Sequence, residues 1–205
     1  MSAVLTTPVD ICNAALGKLG AGIRLGSLLD GSVAGKIALD TYGQTRDKLL
    51  RDGNWGFARR DAVMVLLKSA PAGGYAVTAW NSVTHPPLPW KYAYRYPADC
   101  LKVRSIRRTP VFLPEFDPQP VVFDTPNTVV VATEQKVIVT QVASAVLTYT
   151  GQVVDPALWE ASFVQVMVDA MAEIFAPTLG RNPQAQQIED QMEVRAETEA
   201  AVVQG

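Results

Sequence analysis

Arg51-Asp52-Gly53-Asn54-Trp55-Gly56-Phe57-Ala58-Arg59-Arg60-Asp61-Ala62-Val63-Met64-Val65-Leu66-Leu67 is where one hydrophobic period gives way to another. Upstream, Ala34, Ile37, Ala38, Thr41, Thr45 and Leu49 recur at three- and four-residue spacing while Lys36, Asp40, Asp47 and Arg51 fall elsewhere. That predicts a helix from about Ser32 to Asp52, stopped by Gly53. Asn54 to Ala58 sets two aromatics among small residues, which suits a chain reversal. Downstream come short runs rich in Val, Ile, Thr and aromatics: Ala62 to Leu67, Tyr75 to Trp80, Lys91 to Tyr96, Leu101 to Arg107, Val121 to Phe123, Thr128 to Thr133, Val137 to Val142 and Ala145 to Thr150. Pro, Gly, Asn and Asp separate them, as in an antiparallel sandwich or barrel.

Helical punctuation brackets this middle. Thr7-Pro8-Val9-Asp10 reads as an N-cap, a proline at the first helical position and a capping-box acid, with Gly20 as the stop. Asp155-Pro156 restores helix, with Trp159, Phe163, Val166, Ala170 and Ile174 as its apolar stripe and Pro177 as its end. A last helix starts at Asn182-Pro183 and carries a thin stripe of Ala185, Ile188, Met192, Ala196 and Ala200, with Glu189, Asp190, Glu193, Glu197 and Glu199 around it. So narrow a stripe belongs to an edge helix or to one awaiting a partner. The fold class expected is α+β: a helical bundle from residues 1–59 and 151–205 enclosing an antiparallel β-domain over 60–150.

At 205 residues, 48% hydrophobic and 19% charged, the chain can bury a full core. A net charge of −2 argues against a dedicated nucleic-acid binder on the whole-chain count, so any basic patch must be local. Cys12 and Cys100 are unclustered and read as buried thiols. The N-terminus lacks the basic start and apolar stretch of a signal peptide, and no apolar run reaches the roughly 18 residues of a membrane span. Synthesis in a cytoplasm, with no membrane partner, is the expectation.

Chemistry is scarce. Gly31-Ser32-Val33-Ala34-Gly35-Lys36-Ile37 has the outline of a phosphate loop, but its glycines are one residue too close and Ile37 stands where Ser or Thr would hold magnesium. His85, the only histidine, lies in the loop His85-Pro86-Pro87-Leu88-Pro89 without a neighbouring nucleophile. Asp169 and Glu173 are four apart on a helix, a routine solvated pair. No catalytic, cofactor-binding or metal-ligating residue is assigned, and the chain reads as a non-enzyme. One charge pattern stands out. In Trp90-Lys91-Tyr92-Ala93-Tyr94-Arg95-Tyr96, alternation sends the aromatics to one face and Lys91 and Arg95 to the other; Lys102, Arg104 and Arg108 share a parity further on. Between Lys91 and Arg108 six cations meet only Asp99. An isolated module would carry this as a solvated sheet face; a ring of many copies would make Lys91, Arg95, Lys102 and Arg104 a basic face toward a channel or interface.

Ile11-Cys12-Asn13-Ala14-Ala15-Leu16-Gly17-Lys18-Leu19-Gly20, then Ser27-Leu28-Leu29-Asp30, Arg46-Asp47-Lys48-Leu49-Leu50-Arg51 and Asn54-Trp55-Gly56-Phe57-Ala58-Arg59-Arg60, resembles the N-terminal half of the tailed-bacteriophage head-to-tail adaptors of the tail tubular protein A type. Lys91 to Val103, with its Pro97-Ala98-Asp99-Cys100-Leu101 turn, resembles the same family's aromatic strand and turn. The resemblance implies a structural connector of the virion neck: a homo-oligomeric, twelve-fold ring between the portal protein and the tail nozzle, with genomic DNA passing non-specifically through its lumen. It implies no cofactor. Rival readings are a carbohydrate-binding or hydrolytic tail component, which needs a cleft with convergent acids, and a cytosolic nucleic-acid-binding module. The C-terminal stripe of Ile188, Met192, Ala196 and Ala200 is the expected portal or subunit interface. Deleting Glu193 to Gly205 should therefore leave the thermal midpoint unchanged yet abolish assembly with the portal; a truncated chain that still assembles, or that unfolds, would refute this.

Overall fold

The computed structural model describes residues 5–75, 78–108 and 121–179. The chain divides into two compact units, one drawn from Met1–Leu49 and Val154–Gly205, the other from Leu50–Val153.

In the first unit, helix α1 (Pro8–Lys18) starts on a complete capping box. The Asp10 amide donates to Thr7 Oγ1 at 3.1 Å and the Thr7 amide donates to Asp10 Oδ2 at 3.1 Å, satisfying donors that a helix start otherwise leaves open. Ile11, Cys12, Ala15 and Leu16 form its buried side. Helix α2 (Val33–Asp52) begins inside the Gly31 to Ile37 stretch, where the Gly35 amide donates to Ser32 Oγ. Ala34, Ala38, Tyr42, Arg46 and Leu50 are buried four residues apart, with Gly35 buried beside the first. Asp155 caps a single 3-10 turn (Pro156–Leu158), the chain extends through Trp159, and α3 (Ala161–Leu179) begins beyond it, running on through Pro177. Tyr42 stacks on Trp159 at 6.4 Å, and Trp159 meets Phe163 edge-on at 4.8 Å.

The buried stripe of α3 is Phe163, Met167, Val168, Met171, Ala172 and Phe175, one step round from the expected Val166, Ala170 and Ile174. Both series satisfy helical spacing, and the one with the larger side chains buries more apolar area. By length and composition alone α3 is apolar enough to cross a membrane, which a search for uninterrupted apolar runs misses.

The second unit is sheet. Strands β1 (Arg59–Val63), β8 (Ala145–Gly151) and β4 (Cys100–Arg108) form a three-stranded antiparallel sheet in the order β1-β8-β4. Strands β2 (Leu66–Ser69), β3 (Tyr92–Arg95), β7 (Thr133–Thr140) and β5 (Phe123–Asp124) line up as β2-β3-β7-β5, and β6 (Asn127–Val130) also pairs with β7. A core contributed by both sheets holds Met64, Tyr94, Cys100, Ile106, Ile138, Leu147 and Tyr149. On the other side of β3 and β7 a smaller cluster buries Ala93, Val130, Val137 and Val139. Tyr75 to Trp80 makes no strand among its described residues. Gly74 adopts φ +72°, and Trp80 Nε1 donates to the Pro86 carbonyl inside the proline loop. Buried Lys68 ties that loop to β6, its Nζ donating to the carbonyls of Ser82 and Val129.

The expected helical bundle is corrected. The molecule is sheet-rich, with antiparallel sheets of three and five strands and, among the described residues, three α-helices. Of these only α1 and α3 run alongside each other. The physical reason is supply: α1 offers one short buried side, and α2 buries small or polar residues at four of its six buried positions. The expected fourth helix from Asn182 lies outside the described residues. Phe163→Ala, emptying a fully buried site, should cost about 3–5 kcal/mol in urea melts. Val166→Ala, on the more exposed side of α3, should cost under about 1 kcal/mol; the reverse ranking would refute the observed helix phase.

Candidate functional site

Pairing register decides what the outward face of the three-stranded sheet presents. β1 aligns Arg59 with Thr150 and Asp61 with Thr148 of β8. On the other side β8 aligns Thr150 with Lys102 and Thr148 with Ser105 of β4. Residues directly opposite share a face, so Arg59, Asp61, Thr148, Thr150, Lys102 and Ser105 point the same way. β4 carries register shifts between Cys100 and Lys102 and again between Val103 and Ser105. Each inserts a residue, so that Cys100, Val103 and Ile106, three apart, all reach the core. Arg104 is the extra residue of the second shift. Its Nε donates to Thr150 Oγ1 at 2.8 Å and its Nη2 to the Trp55 carbonyl at 2.8 Å. That carbonyl is set by the turn after α2, where the Trp55 indole lies so close to Gly53 that a Cβ there would fall 2.3 Å from Nε1.

Two adjoining concavities result. One, of about 510 Å3, is lined by Asn54, Arg59, Lys102, Val103, Arg104, Ser105 and Thr148. The other, of about 400 Å3, is lined by Arg51, Tyr96, Leu101, Lys102, Val103, Phe123, Thr125 and Lys136. Lys102 borders both, and among the described residues no carboxylate lines either. Arg51 Nε donates to the Leu101 carbonyl, and Lys136 Nζ sits 4.5 Å from the centre of the Tyr96 ring. Among the described residues no acid lies in ion-pair range of Lys102 or Arg104. Burial, and after it the charge of Arg59, pushes the Arg104 guanidinium below its ordinary pKa.

Asp61 closes one end of this face. It accepts from Thr148 Oγ1 and from Arg107 Nη2 at 2.8 Å, with Arg59 Nε at 3.6 Å from its other oxygen. The Thr148 hydrogen bond first, then Arg59 and Arg107, hold its carboxyl below the usual carboxylate range.

Of the four cations expected to share a face, the structure brings Lys102 and Arg104 together and leaves Lys91 and Arg95 on the five-stranded sheet, exposed and outside both concavities. Arg51, Arg59 and Lys136 take their place. The segment with Ile188, Met192, Ala196 and Ala200 lies outside the described residues. A per-unit charge count would have pointed to the β-unit: Leu50–Val153 carries eleven Lys and Arg against seven Asp and Glu, while the rest of the chain carries seven against thirteen. The near-neutral total conceals that asymmetry.

Elsewhere the groups with chemical potential are engaged. His85 Nδ1 accepts from the Asn81 amide, and Asp169 accepts from Lys18 and Gln165. Burial pushes the Cys12 thiol up to about 12 and raises Cys100 as well, which keeps both as thiols rather than thiolates. Among the described residues no group of three or more His, Cys, Asp and Glu could hold a metal ion. Compared with protein-family models and with curated proteins, the chain gives no match.

Because the folded-state pKa of Asp61 is depressed, its contribution to stability is present above the ordinary carboxylate pKa and is lost as pH falls through the lower folded value. Asp61→Asn should therefore lower the thermal midpoint at neutral pH, and the gap to wild type should close as the solution is acidified below about pH 4. A gap that stays constant through that range would refute the pairing.

Proposed function

We propose that this chain is a structural head-to-tail adaptor of a tailed bacteriophage, one subunit of a ring between the portal and the tail that surrounds the path of the genome. The observation that carries the reading is chemical: the polar lining of the two described concavities of the β-unit is cations, hydroxyls and one amide beside the apolar Leu101, Val103 and Phe123, and among the described residues it includes no carboxylate, histidine or thiol. Such a lining suits contact with a polyanion and offers no acid–base pair for hydrolysis. The N-terminal and aromatic-strand phrases that resemble the adaptor family support the same conclusion from the sequence. The reading does not depend on the helical bundle, which the sheet-rich fold replaces.

A ring needs a heterologous contact, in which one surface of a subunit meets a different surface of the next. The opposed charges of the two units supply a basis for it, since a cationic unit and an acidic one attract between copies. Mass photometry of the purified chain, alone and mixed with the portal ring from the same virion, tests the assignment. The expected outcome is a closed ring, twelve-fold as the resemblance implies, appearing with the portal. A chain that remains monomeric beside intact portal would overturn it.

A further inference from the structure

We propose that the outward face of the β1-β8-β4 sheet binds the phosphodiester backbone of a nucleic acid strand, with Lys102 shared between two adjoining anion subsites. This deepens the adaptor reading by naming the residues that meet the genome, and it rests on that reading only for the identity of the nucleic acid.

The first subsite is formed by Arg59, Lys102 and Arg104, with Asn54 and Ser105 as neutral polar groups beside them. The second is formed by Arg51, Lys102 and Lys136 with Thr125. Like charges gathered without a lining carboxylate repel one another, and an anion seated among them removes that repulsion. Arg104 is already held by Thr150 Oγ1 and the Trp55 carbonyl, so little side-chain freedom is lost when a ligand arrives. The one acid on this sheet face among the described residues, Asp61, borders the first subsite: it accepts from Thr148 and Arg107, and Arg59 Nε lies 3.6 Å from its other oxygen, an exposed separation at which the pairing contributes little.

The backbone, rather than the bases, is what this surface can recognise. Among the described residues no aromatic side chain lines the first subsite, and of the two in the second Lys136 covers the Tyr96 ring while Phe123 packs half-buried against the core. A stacking platform would need exposed aromatic faces among the cations. Two anion subsites that share one lysine match a polymer with regularly repeated phosphates, and such contacts carry affinity without sequence preference. The competing occupant is a run of carboxylates, such as the acidic stretch from Glu189 to Glu199 of another copy of this chain.

The test uses the full-length chain and a fluorescein-labelled DNA duplex of mixed sequence, followed by anisotropy over a series of sodium chloride concentrations. Binding should weaken steeply with salt. Lys102→Ala should lower the slope of log affinity against log salt by about one, and Lys102→Glu should abolish binding. Lys91→Ala, on the other sheet, should leave it unchanged. Because Lys102 is exposed and, among the described residues, without an ion-pair partner, circular dichroism should show unaltered melting in its variants. A duplex that fails to bind at low salt, or a slope that Lys102→Ala does not move, would overturn the proposal. So would poly-L-glutamate that displaces the labelled duplex more effectively than unlabelled duplex, which would assign the face to carboxylates. Ring formation with the portal is scored separately, so duplex binding without a ring would sink the adaptor reading alone.

Discussion

Strand β8 is paired along both edges, from Arg59 opposite Thr150 to Val63 opposite Val146 on one side and from Cys100 opposite Gly151 to Arg108 opposite Ala145 on the other. Ala145, Leu147 and Tyr149 of β8 enter the core, while Thr148 and Thr150 face outward yet are buried. A buried hydroxyl needs a partner, and each has one: Thr148 donates to Asp61, and Thr150 accepts from Arg104. Slipping β8 by a single residue would turn Leu147 and Tyr149 out of the core and strip both hydroxyls of their partners. The register is thus held by apolar burial on one face and by polar satisfaction on the other. The candidate site is the outer consequence of the same lock.

The register shifts in β4 extend that logic. In a regular strand Cys100, Lys102, Arg104 and Ile106 would share one face, forcing two cations into the core or two core residues into water. Inserting a residue at each of two points resolves the conflict, and it concentrates positive charge where the strand bends. Lys102 borders both concavities because it follows the first shift. Arg104 donates across the sheet because the second shift leaves it outside regular pairing.

Local signals were legible in the sequence, and pairing was not. The capping box of Thr7 and Asp10 is written within four residues and forms as read. The change of period after Gly53 likewise marks the end of α2, but the expected first strand, Ala62 to Leu67, is divided between β1 and β2 of different sheets. The bulges of β4 leave no mark in composition: Lys102 and Arg104 do meet in one concavity, but through a register shift rather than regular alternation, and Arg108 falls opposite core-facing Ala145. Arg59 was passed over because it lies more than forty residues from Lys102, and only the β8 ladder brings them to one concavity. The phase of α3 was ambiguous between neighbouring stripes until side-chain volume decided it. The bundle failed for a related reason: helical periodicity shows that a segment can bury a side, but not which element covers it.

Arg59 and Arg60 show how the fold separates identical neighbours. Arg60 lies opposite Tyr149, and its Nη1 donates to Asp99 at 2.7 Å. Its side chain lies over Gly151, where a Cβ would fall 2.5 Å from Nε. Asp99 is held in turn by the Tyr149 hydroxyl at 3.2 Å. Arg60 is therefore spent inside the unit, joining β1 to the turn that starts β4. Arg59, one residue earlier, points the other way, where its nearest carboxylate oxygen is 3.6 Å distant and already shares its carboxylate with Arg107 and Thr148. An exposed pair at that separation contributes little. The alternation of a strand thus turns an Arg-Arg doublet into one structural cation and one that remains open to an outside anion. That division, more than the number of cations, decides which of them the proposed anion site can use.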